Sequence, residues 1–188
     1  MKKNLGSVPA VCPMPVLIIS AYDDKGNINL MNAAWGMICQ MDKIALFIDE
    51  DHKTTQNILS AKSFTVGLAD RKTMVPADYV GIVSGNKVPD KFAHSGLHAV
   101  RSSHVNAPLI EEFPISLECD LAEVVKTENM YAVVGKIINV CADEEIVAEN
   151  GKIDISKTDL IMFDQFSWNY NLLGEKVGKA GQIGKELK

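Results

Sequence analysis

A chain of 188 residues, 47% hydrophobic and 23% charged, can bury one substantial core and is too short for more than one domain with at most a small annex. The formal net charge is −5 and the basic residues are scattered, so no phosphate-neutralising surface is on offer and nucleic-acid partners are not expected. No apolar run approaches the ~20 residues of a membrane helix; the strongest, Val16 to Ala21, is stopped at Asp23-Asp24.

From the start of the chain, Pro9, Pro13 and Pro15 interrupt the apolar stretch that follows Lys2 and Lys3, unlike a signal peptide. Val16 to Tyr22 is rich in β-branched residues and is followed by the turn-forming Asp23-Asp24-Lys25-Gly26-Asn27 and by Ile28 to Met31, which together predict a hairpin. Lys43 to Ile48 reads as a short strand. An acidic loop, Asp49-Glu50-Asp51, then leads through His52-Lys53 into Thr54-Thr55, where a helix is expected to start with a threonine hydroxyl accepting from first-turn amides. Phe64 to Leu68 returns as a strand. A short helix is predicted around Ala77 to Val83, a break at Ser84-Gly85-Asn86, and a second helical turn near Pro89 to Phe92.

Ile115 to Val125 and Tyr131 to Val140 are the longest strand candidates, joined by the polar Lys126-Thr127-Glu128-Asn129. Long strands late in the chain after short ones early predict a mainly β protein with short helices (α+β), built as a closed or partly closed antiparallel barrel. After Asp164 the alternating Phe166, Trp168 and Tyr170 precede a glycine- and lysine-containing tail, 174–188, expected to wrap over a surface or fray. Residues 1–188 read as a single folded unit. The four cysteines, Cys12, Cys39, Cys119 and Cys141, have no paired spacing. They fit neither a disulfide framework nor a zinc site, suit a reducing cytoplasm, and each reads as a small buried apolar residue.

Dinucleotide and P-loop glycine patterns do not occur, which disfavours a Rossmann domain. His94 and His98 have the i, i+4 spacing of two ligands on one helical face, but Gly96 lies between them, and an ordinary loop or helix-end pair is preferred to a metal site. Ser84, in Val83-Ser84-Gly85, lacks the flanking glycines of a nucleophile elbow. The most informative segment is His52-Lys53-Thr54-Thr55, where helix-start amides, hydroxyls and a cation favour a bound phosphate. Locally, a simple Thr54 cap with Lys53 offsetting Asp49, Glu50 and Asp51 explains the same residues. In Asn32-Ala33-Ala34-Trp35-Gly36, small side chains would admit a planar ligand to the main-chain amides; the plain alternative is a packed strand end with Trp35 in the core.

Taken in order, these segments resemble the flavoredoxin branch of the flavin reductase family. Pro13-Met14-Pro15-Val16-Leu17 with Gly26-Asn27 is similar to its opening strand and turn, and Asn32 to Gly36 to its flavin-facing segment. Thr54 with Asn57-Ile58 and Phe64 matches the spacing of its phosphate-binding threonine and helix. Gly81-Ile82-Val83-Ser84-Gly85 followed by Asp90-Lys91-Phe92 resembles its Ser-Gly and Asp-Lys-Phe pair, and Tyr170 with Leu173-Gly174-Glu175 its C-terminal motif. Two departures are the acidic approach to Thr54 and the absence of a proline pair within Met37 to Asp42.

The resemblance implies an FMN-binding split β-barrel, antiparallel and Greek-key-like, that works as a homodimeric oxidoreductase. It implies that Asn32, Ala33, Ala34 and Trp35 contact the isoalloxazine and that His52, Lys53, Thr54 and Asn57 hold the phosphate. Ser84 and Lys91 would lie near the flavin, with Lys91 supplying positive charge to the reduced ring; the plain role of Lys91 is a surface charge on a helix. FMN is the implied cofactor and NADH or NADPH the implied electron donor, with free flavin, a protein partner or another molecule as acceptor. No metal and no side-chain acid, base or nucleophile is assigned. An FMN-binding electron carrier without nicotinamide-dependent reduction, and a barrel binding some other small ligand, stand as alternatives.

Overall fold

A computed structural model of the chain describes residues 1–187. Strands β2 (Leu17–Tyr22) and β3 (Ile28–Ala33) form the expected hairpin. Asp23 closes its turn, Oδ1 accepting from the amides of Lys25 and Asn27 at 2.9 and 2.8 Å, while Gly26 takes φ +81°, where a side chain would be strained. The ribbon β4 (Gly36–Gln40) and β5 (Lys43–Leu46) follows, then α1 (Lys53–Ala61), β6 (Ser63–Leu68), α2 (Met74–Ile82) and α3 (Lys91–Ser95). A short hairpin, β7 (Ala99–Arg101) and β8 (Pro108–Ile110), precedes the long one, β9 (Ile115–Lys126) and β10 (Tyr131–Ala142). Late strands β11 (Ile161–Asp164) and β12 (Asn169–Leu172) build a small sheet with β1 (Met14–Pro15).

Seven strands run in the order β3-β2-β6-β9-β10-β5-β4, each pair of neighbours antiparallel. The edge strands β3 and β4 are linked only by Ala34 and Trp35. Chain continuity and side-chain packing therefore close the ring at a seam without a hydrogen-bonded ladder, which makes the barrel a split one. At that seam a Cβ on Gly36 would meet methyls of Leu17 and Leu46 at 2.7 and 2.9 Å.

Inside the barrel lie Leu17, Ile19 and Ala21 of β2 with Leu46, Ile58, Phe64, Val66, Cys119 and Val133. The alternate residues Val16 and Ile18 point the other way, into a second core with Leu30, Ala77, Val80, Ile110, Phe113 and Ile161. Strand β2 is thus buried on both faces, the reason its sequence is apolar from Leu17 to Ala21 but for the buried Ser20. The outer core is roofed by α2, which brings the end of that helix beside β3 and α1 and so creates the candidate site.

Several expectations shift. Helix α2 begins at Met74, so Pro76 sits in its first turn, where a missing N–H breaks no helical bond. Helix α3 starts at Lys91 and stops at Gly96, φ +71°. Helix α1 begins one residue before Thr54, with His52 as N-cap and no side-chain cap bond, so the threonines are not caps. Cys12 and Cys39 are exposed, against the reading of all four thiols as buried, while Cys119 is buried and Cys141 partly so; all four are free. Trp35 is 58% exposed rather than in the core, because the seam holds it at the barrel rim. The tail beyond Gly174 is exposed up to a last 3-10 turn, Ile183–Leu187; Lys188 lies outside the described residues. No helix among the described residues is long and apolar enough to cross a membrane.

Candidate functional site

The strand-to-helix junction before α1 is organised by its threonines. Thr55 Oγ1 donates to the Asp49 carbonyl at 2.7 Å and ties the loop back on the helix. Thr54, 1% exposed, places its hydroxyl 2.6 Å from the side-chain amide of Asn29 on β3, itself buried. With the Asn29 oxygen turned toward Thr54, that oxygen accepts from the Thr54 hydroxyl and, at 3.3 Å, from the Thr54 and Leu30 amides. The acidic approach is turned away: Glu50 pairs with Lys126, and the Asp49 and Asp51 side chains face solvent. Asp49, Asp51 and His52 do bring their ligand atoms within 4.8 Å of one another, on the solvent side of the loop.

Beside this junction is a cavity of about 150 Å³ lined by Asn29 and Met31, by His52, Lys53 and Thr54, by the stretch from Val80 to Gly85, and by Lys91. It adjoins a larger cleft of about 790 Å³ and shares Asn29, Lys53 and Gly85 with it. Gly85 is needed for the approach of its loop, since a Cβ there would lie 2.1 Å from the Asn29 amide and 3.2 Å from Lys53 Cβ. Three side chains able to carry positive charge line the cavity, and no carboxylate among the described residues does.

Lys91 is the decisive surprise. It is 2% exposed, not a surface charge, and its Nζ donates to the carbonyls of Val80 and Val83 at 3.0 and 2.8 Å, at the end of α2. A helix C-terminus favours a cation, yet no carboxylate among the described residues pairs with Lys91. Burial accordingly pulls its pKa down to about 8. A second orphan is His52 Nδ1, buried without a hydrogen-bond partner.

Of the residues expected at a site, the cavity therefore unites His52, Lys53, Thr54, Ser84 and Lys91. Asn57, one turn further along α1, is buried with its Nδ2 unpartnered and does not line the cavity. The Asn32 side chain is engaged elsewhere: its Nδ2 donates to the Ala77 carbonyl at 3.1 Å and lies 3.5 Å from the Tyr170 hydroxyl. Asn32, Ala33, Ala34 and Trp35 do not line the cavity; they lie at the seam just beyond Met31, which does. The expected histidine pair separates, His94 meeting Asp90 at 3.5 Å and His98 meeting Glu112 at 2.6 Å. Asn29, Met31 and Gly85 were missed, although an asparagine flanked by Ile28 and Leu30 in a predicted strand was a visible signal.

A split antiparallel barrel with one small cation-lined cavity at a strand-to-helix junction defines the class of small-molecule-binding barrel proteins to which this architecture points. Residues 10–164 match the model of the flavin reductase like domain, and the chain belongs to that family. It is similar to the solved flavoredoxin of Desulfovibrio vulgaris (Miyazaki F), 34% identical with a TM-score of 0.92, covering 98% of this chain and 100% of that one. The flavoredoxin from Methanosarcina acetivorans is 28% identical, with a TM-score of 0.89 and full coverage of both chains, 100% each. An FMN-binding protein from Thermus thermophilus, 18% identical with a TM-score of 0.77 over 95% of this chain and 98% of that one, shares the fold.

Proposed function

We propose that the protein binds FMN, with its phosphate in the Thr54–Lys91 cavity, and acts as an oxidoreductase that takes electrons from NADH or NADPH. The observation that carries this reading is Lys91, a buried cation facing a carboxylate-free cavity. An isolated buried charge is costly, by several kcal/mol as an order of magnitude, and an anionic ligand is the counter-charge that offsets it. Lys53, His52 and Lys91 would supply positive charge and Thr54 and Ser84 hydroxyls to the phosphate. The small residues Ala33 and Ala34 would admit the ring to main-chain amides at the seam.

FMN, when bound, supplies the hydride- and electron-accepting chemistry. The chain's residues orient the ligand and set the field around it, and none of them is assigned a proton-transfer or nucleophilic role. Proximity of donor and acceptor would account for most of the rate. A homodimer, with a second copy over the apolar β4–β5 ribbon, and a reducing cytoplasmic setting for the four free thiols complete the reading, with residues 1–188 acting as one folded unit.

Anaerobic stopped-flow mixing of the flavin-loaded protein with NADH and with NADPH tests it. Bleaching of the flavin band with either donor is expected. Flavin that stays oxidised with both would leave an electron carrier fed by a protein partner, and protein that retains no flavin at all would discard the FMN reading.

A further inference from the structure

We propose that Asp78, held in place by Tyr170, keeps the bound flavin a strong electron donor by opposing the negative charge the ring gains on reduction. This rests on the reading that FMN binds with its ring at the Asn32–Trp35 seam, and it adds the residues that set the ring's potential.

A directed chain of hydrogen-bonding side chains lies behind the seam. Tyr170 Oη donates to Asp78 Oδ1 at 2.8 Å. With its proton committed there, the phenol oxygen is left to accept, and Asn32 Nδ2 stands 3.5 Å from it while also donating to the Ala77 carbonyl at 3.1 Å. The partners come from distant parts of the chain: Asn32 from the end of β3, Asp78 from α2 and Tyr170 from β12. Helix α2 comes this near because residue 81 is glycine; a Cβ there would fall 2.9 Å from that of Asn32. An exposed aspartate on a helix ordinarily turns its carboxylate into solvent. Here the Tyr170 phenol fixes it on the side where Asn32 enters the seam.

No cation among the described residues pairs with Asp78, so a neutral phenol is what meets its charge. Among the described residues, those bonded to the seam segment are themselves uncharged. Leu17 and Ile18 of β2 pair with Ala33 and Asn32, the Phe47 amide donates to the Trp35 carbonyl at 2.8 Å, and Ala77 and Tyr170 meet Asn32. His52, Lys53 and Lys91 line the cavity on the other side of Met31. Burial and the Asp78 carboxylate together push the Tyr170 phenol up to about 12, so it keeps its proton, and its bond to Asp78, near neutrality.

A flavin that takes up two electrons and one proton gains one negative charge, and charge near the ring sets how readily it does so. A fixed carboxylate disfavours the charged product over the oxidised ring. Unit charges about 10 Å apart at an effective dielectric near 20 shift such an equilibrium roughly tenfold, and solvent at the exposed Asp78 screens part of this. Without the charge, reduced flavin should gain about three- to tenfold in affinity relative to oxidised flavin, ~15–30 mV for a two-electron couple.

Reductive titration of the FMN-loaded full chain with xanthine and xanthine oxidase, against a reference dye, reads the midpoint potential. Asp78→Asn keeps the shape and an oxygen for Tyr170 to donate to, and removes only the charge. Its potential should rise by ~15–30 mV while its affinity for oxidised FMN, from fluorescence titration, stays that of the wild type. High salt should narrow the gap between the two proteins. Tyr170→Phe, which frees the carboxylate to turn into solvent, should move the potential the same way, and adding it to Asp78→Asn should move it no further. An unmoved or lowered potential in Asp78→Asn would overturn the role of Asp78, and an unmoved one in Tyr170→Phe the positioning by Tyr170, each with the FMN reading intact. A wild-type chain that binds no flavin would remove that reading itself.

Discussion

Thr54 holds the junction together and, in the function proposed here, also meets the ligand. Its hydroxyl partners the buried Asn29 amide at 2.6 Å and lies on the cavity wall. Thr54→Val leaves that amide without a partner, which costs about 1–3 kcal/mol for a buried polar group, and removes a hydroxyl from the ligand. FMN dissociation constants measured by fluorescence titration should rise roughly 5- to 30-fold, the equivalent of about 1–2 kcal/mol. Unchanged affinity would take Thr54 out of the site. Lys91 makes the second residue-scale prediction, read from stability without ligand. Its folded-state pKa, about 8, lies below the unfolded value of about 10.4, so between them the unfolded chain binds more protons and stability rises with pH. Urea unfolding of wild type and Lys91→Met should show a constant difference below pH 8 that moves in favour of the wild type toward pH 10. A difference that does not vary with pH would mean that Lys91 is solvated in solution.

Among the elements, the β7–β8 hairpin is clamped to the outer face of β9 by one buried carboxylate. Glu118, 2% exposed, accepts from Ser102 Oγ and Asn139 Nδ2 and lies 3.1 Å from His104 Nδ1. Ser102 Oγ in turn accepts from the His104 and Val105 amides, each at 3.0 Å. Burial pushes the Glu118 carboxyl up, but the bonds from Asn139, Ser102 and His104 outweigh it and hold the group below the usual carboxylate range. A depressed carboxylate contributes stability above its unfolded pKa, ~4.3, that is lost as pH falls through the folded value. Ser102→Ala should cost about 1–3 kcal/mol near neutrality and move the acid-unfolding midpoint, followed by circular dichroism, to higher pH. An unmoved midpoint would show that Asn139 and His104 suffice.

At the scale of the whole molecule, β4 is an edge strand whose neighbourhood exposes Trp35, Met37, Ile38, Met41 and Phe47, by 58, 63, 58, 100 and 38%. Such an apolar edge invites association with another chain, here proposed to be a second copy. Light scattering on the wild type is expected to report a dimer and on Ile38→Asp a monomer, with flavin retention reduced if the partner covers the seam. A monomeric wild type would assign the ribbon to some other partner.

Local information was enough wherever an element carries its own pattern. The β2–β3 turn with its asparagine and glycine, the twelve-residue strands β9 and β10, and the helix after the acidic loop were all legible, because turn chemistry and long apolar runs are properties of contiguous residues. That His52, Lys53 and Thr54 stand together at a strand-to-helix junction was legible for the same reason. Strands β1, β11 and β12 were not: they span two to four residues, too few for a period. They form because Met14 meets Phe163 and Phe163 meets Tyr170 across the small sheet. The burial of Lys91 was hidden as well, since nothing beside Asp90 and Phe92 in the chain reveals that the end of α2 will arrive over it. The exposure of Trp35 likewise follows from where the barrel splits. Chain-local chemistry named the residues that could hold an anion, and the packing of α2 and α3 on the barrel selected those that share a cavity, because desolvation and a missing counter-charge exist only after distant segments have come together.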